Sequence, residues 1–200
     1  MLNSLRPYLT KFLEPLASRL NINPNIVTII SPFIAIISAL FFASGNLMGG
    51  AIFILLSGFL DVVDGAVARY HGIASPFGAF LDSTMDRFAD AIIFIGIIYG
   101  GYCNWFVGVL AIHSAITVSY VRARAESQGV ECNIGIAERA VRMIILMLGA
   151  IIAAIFNSDI IFTYFIYLLV ILSYFTVGQR IVHVWKALNG SRVPKQRRLN

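Results

Sequence analysis

Five aspartates fall within residues 61–90 of a chain that holds only ten acidic residues in all. They are Asp61, Asp64, Asp82, Asp86 and Asp90. The segments on either side, 51–60 and 91–101, are almost wholly apolar. A carboxylate inside a membrane segment costs free energy, and residues that carry one there usually have a function. The aspartates are therefore the first candidates for chemistry.

The spacing of four aspartates predicts one shared site. Asp61 and Asp64 are three residues apart and Asp82 and Asp86 are four apart, so each pair shares a helix face. A short turn makes the two helices antiparallel neighbours and brings the carboxylates to one depth. Without a counter-charge they would repel each other and take up protons. Carboxylate oxygens select hard divalent cations, so we predict two Mg²⁺ ions, with Mn²⁺ also accepted. Paired ions can clamp a phosphoryl group.

Small and basic residues flank the aspartates. Gly65 and Gly78 remove side chains beside the site, which lets a ligand approach the backbone or lets helices pack closely. Arg69, at the membrane edge, suits a phosphate or serves only as a topology anchor. A buried ion-pair network with Arg69 and Arg87 is the structural alternative, but it would leave the cluster negatively charged.

The elements that carry these residues are predicted to be membrane helices. The chain is 58% hydrophobic and only 12% charged, which excludes an ordinary soluble domain. About 20 apolar residues span a bilayer. Six segments qualify and predict an all-α integral membrane protein: 26–44, 48–69, 76–100, 104–127, 137–156 and 160–187.

The Lys and Arg residues lie on one predicted side of the membrane. The connections between the first and second, third and fourth, and fifth and sixth segments contain no Lys or Arg. Both termini and the aspartates are therefore predicted on the cytoplasmic face of the cell membrane. Residues 1–25 have helical amphipathic spacing and predict a helix that lies in the interface. A single membrane domain, 26–188, then precedes a basic tail, 189–200, which contacts anionic lipid or serves only as a topology signal.

The aspartate spacing resembles a family signature. It reads Asp61-x2-Asp64-Gly65-x2-Ala68-Arg69-x8-Gly78-x3-Asp82-x3-Asp86. This is similar to the signature of the CDP-alcohol phosphatidyltransferases, membrane enzymes with six transmembrane helices. The resemblance implies transfer of a phosphatidyl-type group from a CDP-linked lipid to an alcohol, with release of CMP.

The resemblance also implies roles for individual residues. Asp61, Asp64 and Asp82 match metal ligands, and Asp86 matches a residue that is both metal ligand and general base. The CDP-lipid would contact seven further positions, of which the first three form a shorter and less specific motif before the first helix: Pro24, Asn25, Thr28, Gly65, Arg69, Ser75 and Gly78.

A second group of basic residues bears on the acceptor. An acceptor with its own phosphate would need several arginines in one pocket. The stretches RARAES, GIAER and QR resemble the branch of the family that uses inositol phosphate, the phosphatidylinositol phosphate and archaetidylinositol phosphate synthases. The resemblance implies an acceptor-phosphate pocket formed by five arginines, with the second and third as substitutes: Arg122, Arg124, Arg139, Arg142 and Arg180.

Two alternatives remain open from the sequence. Glycerol 3-phosphate as acceptor would also explain the arginines. A cation transporter would use the acidic cluster, but it predicts carboxylates near the bilayer midplane and an internal repeat. The expected partners are a CDP-linked lipid, a phosphorylated polyol, the bilayer and, by analogy, a second copy of the chain, with no nucleic acid. Uniformly apolar lipid-facing positions do not distinguish archaeol from diacylglycerol tails.

Overall fold

The computed structural model describes Ser18 and residues 24–190, and within that range the chain is all-helical. The helices are α1 (Pro24–Ala43), α2 (Leu47–Tyr70), α3 (Pro76–Tyr99), α4 (Trp105–Ser127), α5 (Arg139–Ile155) and α6 (Asp159–Gly190). Each predicted segment coincides with one of them, and the predicted all-α class is confirmed. The predicted interfacial helix (1–25) and the basic tail (189–200) fall almost wholly outside the described residues.

Four of these helices are long and apolar enough to cross a membrane. Within the described residues they cover Ile26–Ala43, Leu47–Tyr70, Trp105–Ser127 and Asp159–Asn189. The other two fall short for different reasons: α3 carries four charged residues in its first fifteen positions, and α5 has only 17 residues. Many large apolar side chains, such as Phe33 and Leu40, are exposed on the outside of the bundle, as expected for a protein solvated by lipid. The fold is therefore that of a multi-pass membrane protein.

The core joins helices that are distant in sequence. Helix α1 packs against α2 and α3, α5 against α2 and α6, and α4 against α3 and α6. Phe42, Phe94 and Phe162 are fully buried in the main core cluster, and the rings of Phe42 and Phe162 stack with centroids 5.4 Å apart. A Cβ atom at Gly96 would lie 2.5 Å from the Cα of Ala39, so this glycine lets α3 approach the backbone of α1.

The reversal between α2 and α3 brings the aspartates together. Gly72 has φ +66°, a conformation that glycine adopts at little cost, and the chain turns there after α2 ends. Ser75 caps α3 by accepting a hydrogen bond from the Gly78 N–H at 3.0 Å, and Pro76 occupies the first helical position. Because α3 starts at this point, Asp82 and Asp86 lie about two and three turns into it, beside the last turns of α2.

Candidate metal and phosphate site

Three aspartates from α2 and α3 form a compact oxygen cluster. One carboxylate oxygen each from Asp61, Asp64 and Asp82 lies within 4.8 Å of the others. Asp64 is buried, and Asp61 and Asp82 are partly exposed. Carboxylate oxygens at this separation are a donor set that suits Mg²⁺ or Mn²⁺ rather than a softer metal. The residues present therefore fit a divalent metal ion.

Helix α1 contributes an orienting hydrogen bond to this cluster. The Thr28 hydroxyl donates to Asp64 Oδ2 at 2.7 Å, and both residues are buried. The resemblance assigned Thr28 to CDP-lipid contact, and its side chain does face the same cavity as Asp64. The hydrogen bond adds a second role, because partners of this kind fix the orientation of metal ligands.

Thr28→Val should weaken metal binding. Valine keeps the shape of threonine but cannot donate to Asp64, so we expect divalent-metal affinity to fall by about 10- to 100-fold. The measurement is Mn²⁺ binding to the purified protein, followed by the paramagnetic resonance signal of free Mn²⁺. Ser31→Ala is the matched control. The Ser31 hydroxyl joins the same two helices through a hydrogen bond with the Ser57 hydroxyl, whose oxygen is 3.1 Å away, and Ser57 is not a proposed metal ligand. Equal Mn²⁺ affinity in wild type and Thr28→Val would remove this role.

A second set of charges surrounds Asp86. Arg139 Nη1 lies 2.8 Å from Asp86 Oδ1 and 3.0 Å from Asp61 Oδ2, while its Nε donates to Asp90 Oδ1 at 3.2 Å. Arg87 lies 3.4 Å from Asp86 on the other side. Arg139 from α5 thus pairs with three of the aspartates. Of the two arginines in the sequence alternative, Arg87 does pair with Asp86, and within the described part of the chain Arg69 forms no salt bridge with an aspartate.

Asp90 was one of the five candidate aspartates, but the sequence predicted no role for it in the site. It is buried and accepts from Arg142 Nη2 at 2.8 Å as well as from Arg139. The signal was present, because Asp90 extends the four-residue spacing of Asp82 and Asp86 by one further turn. No role was predicted because Asp90 lies outside the family signature, which ends at Asp86.

A first cavity opens beside Asp64. It has a volume of about 190 Å³ and lies between the start of α1, the end of α2 and the start of α3. Five residues predicted to contact the CDP-lipid line it: Thr28, Gly65, Arg69, Ser75 and Gly78. The side chains of Pro24 and Asn25, also predicted there, lie outside the described residues. The cavity also reaches Asp64 and Asp82.

A second cavity opens on the other side of Asp82. Its volume is about 940 Å³, and its wall combines acidic and basic groups from three helices. Its charged lining residues are Asp82, Asp86, Arg87, Arg122, Glu126 and Arg139. Asp64 faces only the first cavity, Asp86 only the second, and Asp82 faces both. The carboxylates therefore stand between two compartments.

The five arginines predicted for the acceptor phosphate are placed differently from one another. Arg122 and Arg139 reach the second cavity, and Arg122 also binds Glu126 at 2.8 Å. Arg124 is exposed and is not part of that wall. Arg142 and Arg180 are almost fully buried and donate to protein groups. The structure thus brings two of the five together at the cavity.

Comparison with known proteins decides the family. Residues 21–184 match the sequence model of the CDP-alcohol phosphatidyltransferases. The chain belongs to this family. An archaetidylinositol phosphate synthase from Methanothermobacter thermautotrophicus is 45% identical over 188 residues, which cover 94% of this phosphatidyltransferase and 96% of the relative. The predicted family is confirmed.

Solved structures agree over nearly the whole phosphatidyltransferase. The crystal structure of Mycobacterium tuberculosis phosphatidylinositol phosphate synthase with CDP-DAG bound has a TM-score of 0.79 and 28% identity, covering 95% of this chain and 99% of that one. The same protein in complex with manganese and citrate gives a TM-score of 0.76 and 28% identity, with 96% and 93% covered. The helical arrangement described above is therefore that of a known transferase.

Proposed function

We propose that this membrane phosphatidyltransferase moves an archaetidyl- or phosphatidyl-type group from a CDP-linked lipid to myo-inositol phosphate and releases CMP. One observation carries the proposal: two cavities, one with the residues expected to bind a CDP-lipid and one with arginines, meet at Asp82. A group-transfer enzyme needs donor and acceptor on either side of the reacting phosphorus. The names of the similar proteins, an archaetidylinositol and a phosphatidylinositol phosphate synthase, support the same donor and acceptor classes.

The first cavity would hold the head of the donor. Arg69 stands at its rim and suits the diphosphate, since a guanidinium donates several hydrogen bonds to phosphate oxygens. Gly65 and Gly78 expose backbone, so the diphosphate can come close to α2 and α3. Ser75 completes the wall, and Pro24, Asn25 and Thr28 would close over the cytidine. The lipid tails remain in the bilayer.

The second cavity would hold the acceptor. Arg122 and Arg139 would bind its phosphate, and Asp86 would face its hydroxyl. The hydroxyl oxygen attacks the phosphorus nearest the lipid and forms the new P–O bond. The bond from that phosphorus to the oxygen bridging to CMP breaks, and CMP leaves with the electron pair. The hydroxyl proton passes to the Asp86 carboxylate, which acts as general base.

The carboxylates would also hold metal. Asp61, Asp64, Asp82 and Asp86 are the proposed ligands of two Mg²⁺ ions, with Mn²⁺ as a substitute. Such ions, when bound, offset charge on the diphosphate and on the leaving CMP. Because Asp86 would be both ligand and base, its position beside the acceptor contributes more to catalysis than its basicity does.

The membrane arrangement follows from the charges. We infer that all six helices cross the bilayer, including the charged α3 and the short α5, and that residues 26–188 form one domain. Both termini and the active site would face the cytoplasm, because the connections at the opposite face carry no Lys or Arg. Residues 1–25 would lie in the interface, the tail 189–200 would contact anionic lipid, and two copies of the chain would form a homodimer.

Acceptor-dependent CMP release tests the function. Purified protein receives Mg²⁺ and either CDP-archaeol or CDP-diacylglycerol, followed in turn by inositol phosphate, glycerol 3-phosphate, inositol or serine. We expect CMP release with inositol phosphate and at least about tenfold less with the other acceptors, since each lacks either the phosphate or the ring hydroxyls that the cavity would bind. Release with glycerol 3-phosphate instead would keep the chemistry and overturn the acceptor. Release with none would contradict the function.

Two arginine variants in the same assay test whether the second cavity binds the acceptor phosphate. Arg122 lines the second cavity and Arg124, two residues away on α4, does not. Arg122→Gln should therefore raise the KM for the phosphorylated acceptor by about tenfold or more, as expected for loss of a charge-assisted hydrogen bond. Arg124→Gln removes the same charge from the same end of the helix and should have the smaller effect. Equal effects would assign both residues to general electrostatics.

A further inference from the structure

The Arg139 guanidinium occupies the space between two proposed metal ligands. Its Nη1 atom alone contacts both Asp61, at 3.0 Å, and Asp86, at 2.8 Å. These aspartates come from α2 and α3, whereas Arg139 begins α5. A metal ion ligated by the same two carboxylates would need the region that this nitrogen fills. Arg139 and the ion are therefore alternatives at this position.

A second contact keeps Arg139 close when it leaves that position. Its Nε atom donates to Asp90, whose other carboxylate oxygen accepts from Arg142 at 2.8 Å. The Asp90 and Arg142 side chains are only 6% and 1% exposed, so this pair is a fixed part of the core. A buried pair of this kind is costly to break. The planar guanidinium can pivot as one unit about the hydrogen bond from Nε to Asp90, through changes in the aliphatic torsions of Arg139, and this moves Nη1 while the contact with Asp90 is kept.

The charges show why an internal cation is needed here. Five aspartates face three arginines, Arg87, Arg139 and Arg142, which leaves a formal charge of −5 + 3 = −2. Carboxylates held this close repel one another unless a cation lies between them. Arg139 joins α2 to α3, because the same nitrogen, Nη1, contacts Asp61 on α2 and Asp86 on α3. It can hold the ligands in place while no ion is bound.

We propose that the Arg139 guanidinium takes the place of a metal ion between two carboxylates until a divalent ion displaces it. It holds Asp61 and Asp86 in position in the metal-free enzyme, releases both as a divalent ion binds, and remains tethered by Asp90 at the wall of the second cavity. Asp90 is then the positioning residue for Arg139. This inference rests on the proposed function in one respect, the assignment of the metal to the aspartate cluster.

Mn²⁺ binding without substrate tests the inference. Free Mn²⁺ is followed by paramagnetic resonance during titration of the purified full chain, with no CDP-lipid and no acceptor present. Arg139→Gln removes the competing cation and should lower the Kd for Mn²⁺ by about tenfold. Arg87→Gln is the matched control: it removes the same charge beside Asp86, but among the described residues Arg87 forms no salt bridge with Asp61. Its Kd should change by less than about threefold, as expected for a half-exposed charge.

The outcomes separate this inference from the function. Equal tightening in the two variants would reduce Arg139 to general electrostatics, and weaker binding in Arg139→Gln would make it a support for the metal site; either result overturns the inference. If Arg139→Gln does not fold, Arg139→Met replaces it. Methionine keeps an unbranched side chain but carries no charge, so Mn²⁺ should again bind more tightly, and an unchanged Kd would overturn the inference. Asp82→Asn should weaken Mn²⁺ binding strongly; an unchanged Kd would mean that the cluster is not the metal site, and the proposed function would then lose its metal assignment as well.

Discussion

Asp82→Asn is expected to abolish CMP release, with a loss of at least about a thousandfold. Asp82 belongs to the three-carboxylate cluster and faces both cavities. Under the proposed function it would contact the donor, the acceptor and the metal. Asparagine has nearly the same shape but no charge, and a neutral oxygen is a far weaker ligand for a hard dication. The remaining carboxylates would be left without the ion that stabilises the leaving CMP. The measurement is CMP release at saturating Mg²⁺.

Asp159→Asn is the matched control for this variant. It makes the same chemical change at the start of α6, away from both cavities. Its activity should stay within about twofold of wild type, as is usual for a substitution outside a site. Partial recovery of Asp82→Asn at high Mn²⁺ would support loss of metal affinity as the cause. Full activity of Asp82→Asn at ordinary Mg²⁺ would contradict the assignment of the cluster as the catalytic metal site.

Asp86→Asn is expected to stop the transfer step while donor binding survives. Loss of a general base lowers rates by about 10²- to 10⁴-fold. Asp86 faces the second cavity, which is proposed for the acceptor, and does not line the first cavity, which is proposed for the CDP-lipid. The variant should therefore bind a CDP-lipid with an affinity close to that of wild type and release CMP very slowly. Single-turnover CMP release and equilibrium donor binding are the two measurements.

A third measurement, the Mn²⁺ affinity of the variant, distinguishes the two proposed roles of Asp86 when it is compared with the transfer rate. If Mn²⁺ affinity is retained and transfer is lost, the side chain acts mainly as the base. If Mn²⁺ affinity and transfer fall together, its role as a ligand dominates. Transfer at the wild-type rate would exclude both roles. Asp159→Asn serves again as the control for an Asp-to-Asn change.

Much of this molecule could be predicted from its sequence, because the relevant signals are local. Apolar runs and the turn residues between them predicted six helices. The structure has a helix at each predicted segment, with nearly the same bounds. Helical spacing of three and four residues placed Asp61 with Asp64 and Asp82 with Asp86. The short connection at residues 71–75 then made α2 and α3 neighbours. The eight-residue signature led to the family, and the comparisons confirm it.

The partners of the arginines could not be predicted from local sequence patterns. From the sequence, Arg122, Arg142 and Arg180 were the first candidates for one phosphate pocket, with Arg124 and Arg139 as substitutes. In the structure, Arg180 donates to the backbone carbonyls of Val118 and Ile134, and Arg142 to Asp90. Arg122 and Arg139 reach the cavity. Which charge pairs with which depends on how α4, α5 and α6 pack, since Coulomb attraction between charges has no preferred sequence separation.

Tertiary structure alone decided the relation between the two cavities and the place of Arg139. Asp61 and Arg139 are 78 residues apart, and Asp90 and Arg142 are 52 apart, yet each pair is in hydrogen-bond contact. A periodic pattern gives the face of a helix on which a residue lies, but not the residue opposite it on another helix. The sequence therefore determined the helices, the aspartate cluster and its chemistry. Packing of α1, α4 and α5 around that cluster determined how the two cavities divide at Asp82 and which cation lies between the carboxylates.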